Sequence, residues 1–226
     1  MSQSKIKTYV CHFKKSKLSI LKQLYIIRHG ETEYNKKGMV QGSGIDAPLN
    51  ETGMKQAAAF YQAYKDTPFD KIYTTNLIRT KQTVNSFTES GIPTEELADL
   101  REISWGSQEG VPFSDASRKE YYDINEQWNQ GNYHAKIQNG ESPHEVTERL
   151  ARGFEYITAQ PDESKVLICM HGRAMRILMC HLLQIPMSEM DSFEHKNTCL
   201  YLINWDGESY TLEKRNEISH LELVMS

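Results

Sequence analysis

The sequence predicts an α/β fold: a three-layer α/β/α sandwich around a mainly parallel central sheet. Two observations carry this. Leu24–Ile27 is an apolar run without polar alternation, as in a strand buried on both faces. Helical patterns then separate this strand from two further strand candidates, Lys71–Thr74 and Lys165–Met170. Strands alternating with helices of this size form parallel sheets with covering helices. A length of 226 residues suits one sizeable domain of this kind.

Taken in chain order, residues 1–21 are expected to be a basic leader outside the catalytic fold. The first 23 residues carry Lys5, Lys7, Lys14, Lys15, Lys17 and Lys22 and no acid. TYVCHF is too short and mixed for a signal peptide; a basic membrane-associating tail is the alternative. Residues 22–226 are expected to form a single domain. Asn50 is placed to cap a helix running through Gly53, Ala57 and Phe60 toward Tyr64. Thr75 is placed to cap another, through Leu77, Ile78 and Val84 to Phe87. Residues 103–140 break the rhythm. They are rich in aromatics and glycine, with one helical stretch at Ser117–Trp128, and read as a lid-like insertion. Ser142, Pro143 and Glu145 fit the N-cap, first and third positions of a helix with a capping box. Cys199–Asn204 is a fourth strand, and WDG after it begins a hairpin at the sheet edge.

Hydrophobic content of 38% supports a packed core, and a net charge of −4 gives no general reason to expect nucleic acid. Cys11, Cys169, Cys180 and Cys199 match neither a close-set zinc pattern nor a disulfide framework. They point to a reducing, cytoplasmic setting. No apolar segment reaches transmembrane length. A monomer or homodimer acting on a small molecule is expected.

Two strand ends look alike. LYIIRHG puts His29 after one apolar run, and VLICMHG puts His171 after another. Parallel strands deliver both to one edge, where open α/β sheets bind ligands. Arg28 adjoins the first histidine, and Arg79 enters from the helix beyond a third strand. Two arginines and two histidines in one cleft describe an anion site, most naturally for phosphate. There is no nucleotide-binding P-loop and no recognisable acidic metal cluster. What remains is metal-free attack by neutral imidazole on phosphorus, with the arginines and a charged second histidine holding the equatorial oxygens. The leaving alkoxide needs an acid. Glu102 and Glu31 are the candidates, and the residues themselves do not choose.

RHGET at Arg28–Thr32, with Asn35 beyond it, resembles the signature of the histidine phosphatase superfamily, in its phosphoglycerate mutase-like branch. Further elements are similar: Gln41–Gly42, Asp46–Asn50, Glu51–Gly53, TTNLIRTKQT at Thr74–Thr83, LREISWGSQEG at Leu100–Gly110, GES at Gly140–Ser142 and HG at His171–Gly172. The resemblance runs from about Lys22 to the C-terminus. It implies that His29 takes the phosphoryl group and that Glu102, not Glu31, is the proton donor. It also implies that Arg28, Arg79 and His171 hold the phosphoryl group, with Asn35, Gln41, Gly42 and Gly172 at the substrate. The second ring nitrogen of His29 is then expected to donate to a backbone carbonyl. No metal and no cofactor are implied.

Two departures bear on activity. REISWG at Arg101–Gly106 lacks the basic and tyrosine groups with which the mutases resemble one another there, and Met39 stands where many relatives have arginine. Both favour a phosphatase for a small phosphorylated metabolite over a mutase, which would need 2,3-bisphosphoglycerate as primer. A carboxylate grip from Arg118, Lys119 or Lys136 would restore the mutase. A member that only binds is the third alternative. His134 is a possible substrate contact and His144 faces either the cleft or solvent. His181 is expected near the core, and His195 and His220 as caps or rim residues. Cys169 is expected to be an inert buried thiol.

Overall fold

The computed structural model describes residues 21–112 and 114–223, so the basic leader lies almost wholly outside the described residues. The chain runs β1 (Lys22–Arg28), α1 (Glu33–Lys36), α2 (Glu51–Tyr64), β2 (Lys71–Thr74), α3 (Ile78–Glu89) and β3 (Thr94–Glu96). It continues through α4 (Asp115–Asn129), α5 (Pro143–Thr158), β4 (Lys165–Met170), α6 (Gly172–Leu182), β5 (Leu200–Trp205) and β6 (Tyr210–Glu217). The six strands form one sheet in the order β3-β2-β4-β1-β5-β6. The first four are parallel, and β5 and β6 add an antiparallel edge hairpin, as WDG suggested.

The apolar runs lack alternation because both faces are covered. Leu24 and Ile26 of β1 and Val166 and Ile168 of β4 pack with Val146, Leu150 and Phe154 of α5 and Ile177 and Leu178 of α6. Ile27, Leu167 and Cys169, one residue out of phase, pack with Phe60 of α2 and Val84 and Phe87 of α3. This is the three-layer sandwich, and side-chain alternation along each strand feeds its two cores.

Helix starts follow local chemistry. Asn50 Oδ1 accepts from the Gly53 N–H, and Ser142 with Glu145 forms the expected capping box. Thr75 does not cap α3. That helix begins at Ile78 with Leu77 as a cap lacking a side-chain bond. The Thr75 hydroxyl instead accepts from the Leu77 N–H and lies 3.1 Å from His171 Nε2. A short turn therefore intervenes between strand and helix. The helix in 103–140 is capped by Ser114, three residues before the expected start. β3, only three residues long and polar, carries no strand pattern that sequence reading could detect.

Candidate active site

Register places the two histidines. β1 and β4 are parallel with Arg28 opposite Met170, so the next residues, His29 and His171, leave adjacent strands side by side. The His29 N–H still bonds to Met170 O at 3.0 Å. The two ring centroids are 5.3 Å apart. Gly30 permits the turn that follows: a Cβ there would stand 2.7 Å from Gly53 O, so the loop can touch the start of α2 only without a side chain.

His29 Nδ1 lies 2.7 Å from Gly30 O and donates to it, which leaves Nε2 as the ring's lone-pair nitrogen. Burial, then Arg79 and Arg28, hold its pKa well below the ordinary histidine value. It is neutral at pH 7 and able to act as a nucleophile.

His171 is also neutral, contrary to the expectation of a charged second histidine. Burial and Arg79 lower its pKa. Its Nδ1 accepts from Arg79 Nε at 3.3 Å, so the proton sits on Nε2, facing Thr75. Arg79 is fully buried. It also donates to Ile45 O and Gly42 O, so three of its five N–H donors are engaged. Burial lowers its pKa to about 10, and it stays charged.

Glu102 approaches from the segment after Leu100. Its Oε1 accepts from Ile103 N and from Ala174 N in the first turn of α6, and its Oε2 from Arg173 N. The segment itself is tied by Arg149, whose guanidinium donates to Asp99 O, Arg101 O and Glu102 O. The same guanidinium grips Glu141 on both oxygens. Glu141 also accepts from Ser104 N. Glu141 of GES thus holds the loop that carries Glu102.

Of these groups His29 and Glu102 border a cavity of about 370 Å³. Among the expected residues Arg28, His29, Asn35, Gln41, Glu102 and Gly172 line it. His171 and Arg79 lie beneath the floor, fully buried. Gly42 does not line it; its carbonyl serves Arg79, and a Cβ there would collide with Glu109 Oε1. Two donors on residues that line the cavity, Arg28 Nε and Gln41 Nε2, are buried without a hydrogen-bond partner. Unpaired buried donors are costly unless a ligand takes them. Arg28 Nη1 donates to His195 O, and Asn197 Nδ2 ties His29 O to Asn35.

Sequence reasoning missed Arg173 and Arg176, which line the cavity from α6 with Tyr121 and His195. The signal was HGRAMR, two arginines three apart and thus on one helix face. Arg118, Lys119 and Lys136 do not line the cavity. Lys119 pairs with Asp123 and Lys136 with Glu145 at the surface. His134 and His144 are also outside it: their rings lie 4.3 Å apart on the exposed side of α5. His195 is a cavity residue, whereas His220 is buried against Phe60 and is no rim group. Cys169 is fully buried, and burial raises its thiol pKa. Among the described residues no group of three or more His, Cys, Asp or Glu could hold a metal ion, and no helix is long and apolar enough to cross a membrane.

Residues 24–218 match the family model of the histidine phosphatase superfamily (branch 1), and the chain belongs to that family. It is 32% identical over 197 residues to the "Uncharacterized phosphatase PhoE" of Bacillus subtilis, covering 87% of this chain and 95% of that protein. It is 28% identical over 211 residues to the "Probable phosphoglycerate mutase GpmB" of Yersinia pestis, covering 89% and 95% respectively. Among solved structures, phosphoserine phosphatase from Entamoeba histolytica in complex with 3-phosphoglyceric acid superposes with a TM-score of 0.78. It is 25% identical, covering 88% of this chain and 99% of the other.

Proposed function

We propose that this protein is a metal-independent phosphomonoester hydrolase acting through a phosphohistidine on a small phosphorylated metabolite. The observation that carries it is His29: buried, neutral, its Nδ1 tied to Gly30 O, and lining a cavity together with Arg28, Gln41 and Glu102. In the first step His29 Nε2 bonds to phosphorus as the ester P–O bond breaks, and protonated Glu102 gives its proton to the leaving oxygen. In the second, the Glu102 carboxylate takes a proton from water, whose oxygen attacks phosphorus. The P–N bond breaks and phosphate leaves. Arg28, Asn35 and Gln41 hold the equatorial oxygens throughout, and Arg79, hydrogen-bonded to His171 beneath the floor, adds positive charge under them. In this reading residues 22–226 act as one domain, with 103–140 as a wall of its cavity through Trp105 and Tyr121.

The mutase is the second reading, supported by the GpmB relative and by the arginines of α6. Both share the phosphohistidine and differ in what attacks it. The test is 3-phosphoglycerate with and without 2,3-bisphosphoglycerate, following 2-phosphoglycerate and free phosphate. Phosphate release with negligible isomerisation is expected. Primed isomerisation that far outpaces phosphate release would make the protein a mutase.

A further inference from the structure

Two glycines of QGSGID, Gly42 and Gly44, serve a carboxylate that does not line the cavity. Glu109 lays its side chain against both of them. A Cβ at Gly42 would collide with Glu109 Oε1, and a Cβ at Gly44 would stand 2.5 Å from Oε2. Neither glycine has a positive φ, so the backbone does not require glycine there. The close approach of Glu109 does, joined at Gly42 by that of Ile103 O.

Glu109 joins two stretches that meet at the cavity. Its Oε1 accepts from the Trp105 N–H at 2.9 Å. Beside it the Ser43 N–H donates to Ile103 O at 3.2 Å, and the Gly110 N–H to Val40 O at 3.1 Å. One stretch lines the cavity through Met39, Val40 and Gln41, and the other through Glu102 and Trp105. The first stretch also aims Arg79. Arg79 Nη1 donates to Ile45 O at 2.6 Å and Nη2 to Gly42 O at 3.2 Å. Asp46 Oδ1 accepts from the Ile78 N–H at 2.6 Å, at the start of the same helix. The carbonyls that orient the Arg79 guanidinium therefore stand on the loop that Glu109 fills. Burial lowers the pKa of Arg79, and the charges of Glu102, Asp46 and Glu109 oppose that fall.

We propose that Glu109 is a positioning residue: seated on Gly42 and Gly44, it fixes the carbonyls that orient Arg79 and keeps that charge in register with Glu102. This rests on the phosphohistidine reading of the same cavity. A loop with glycines at both positions is free to turn once the carboxylate is removed. Arg79 would then lose the acceptors that aim it. A fixed charge serves a transition state because it needs no reorganisation as the reaction proceeds.

The test combines kcat and KM for p-nitrophenyl phosphate with orthovanadate affinity by titration calorimetry, all on the full chain. Glu109→Ala should lower kcat by about ten- to a hundredfold, change KM less, and weaken orthovanadate by about tenfold. Glu109→Gln keeps the shape and the acceptor for Trp105 N, and should recover most of both losses. Gly44→Ala puts a Cβ where the carboxylate lies and should reproduce them. Added to Glu109→Ala, where that space is open, it should cost about twofold or less. On an Arg79→Ala background Glu109→Ala should cost about threefold or less, because the group it positions is gone. Thermal melts identify any variant that does not fold; Glu109→Asp, one methylene too short for the cradle, then replaces Glu109→Ala. Wild-type kcat and vanadate affinity in Glu109→Ala, a harmless Gly44→Ala, equal losses in Glu109→Gln, or full losses on the Arg79→Ala background would overturn the proposal. Wild-type turnover that ignores Glu109 removes the positioning role and leaves the hydrolase standing. Glu109-dependent vanadate binding without turnover of any phosphomonoester removes the hydrolase and leaves the positioning role. A wild-type protein that does neither overturns both.

Discussion

Arg79 donates from Nε to Nδ1 of His171 across 3.3 Å, beneath the floor of the cavity. The bond sets the tautomer of His171 and puts a permanent positive charge under the cavity. Arg79→Ala is expected to reduce kcat/KM for p-nitrophenyl phosphate by about 2–5 kcal/mol in activation terms, the range for a buried, hydrogen-bonded charge. Steady-state kinetics on folded variant protein checks this. An Arg79→Ala enzyme with wild-type kcat/KM would remove Arg79 from the site.

Glu102 is expected to matter most where the leaving oxygen is most basic. Glu102→Gln should slow turnover of an alkyl phosphate by about 10²–10⁴-fold, the usual contribution of a general acid. The loss of phosphoryl transfer from p-nitrophenyl phosphate, whose phenolate departs readily, should be smaller in single-turnover kinetics. Equal losses on both substrates would count against Glu102 as the acid.

The Arg149–Glu141 pair is expected to position Glu102. Arg149 binds the carbonyls of Asp99, Arg101 and Glu102 and is buried. Arg149→Lys should lower kcat more than it raises KM. On a Glu102→Gln background the same substitution should cost little further, because the group it positions is gone. Additive losses would assign Arg149 to general stability alone.

Acid stability should be set by buried histidines. Burial is the first cause of the lowered pKa values of His29, His171, His195 and His220. Below about pH 6.5 the unfolded chain binds protons that the folded chain refuses. Stability is therefore full above that pH and falls as pH drops below it, by at most about 1.4 kcal/mol per pH unit for each group. His220 lies away from the cavity, against Phe60 and Thr198. Denaturant midpoints between pH 7.5 and 5 should fall less steeply for His220→Gln than for the unaltered protein. Parallel pH profiles would exclude His220 as a contributor.

The core of the site was legible because it sits at strand ends. HG after each of two apolar runs, in a parallel sheet, leaves little freedom in where His29 and His171 meet. Charge states were not legible. The neutrality of His171 comes from burial first and then from Arg79, which reaches it from a helix 92 positions away in the chain, and no local pattern records either. Arg173 and Arg176 were overlooked because α6 otherwise reads as a core helix: Ala174, Met175, Ile177 and Leu178 are all buried. The family resemblance places Gly42 at the substrate together with Gln41. The structure gives its carbonyl to Arg79 and leaves only Gln41 on the cavity.

The most direct measurement is rapid-quench trapping with a 32P-labelled phosphomonoester. Wild-type protein is predicted to yield an acid-labile, base-stable phosphoprotein within one turnover, with the label mapped to His29, and His29→Ala to yield none. Labelling and turnover retained in His29→Ala, or a label on any other residue, would contradict the account at its centre.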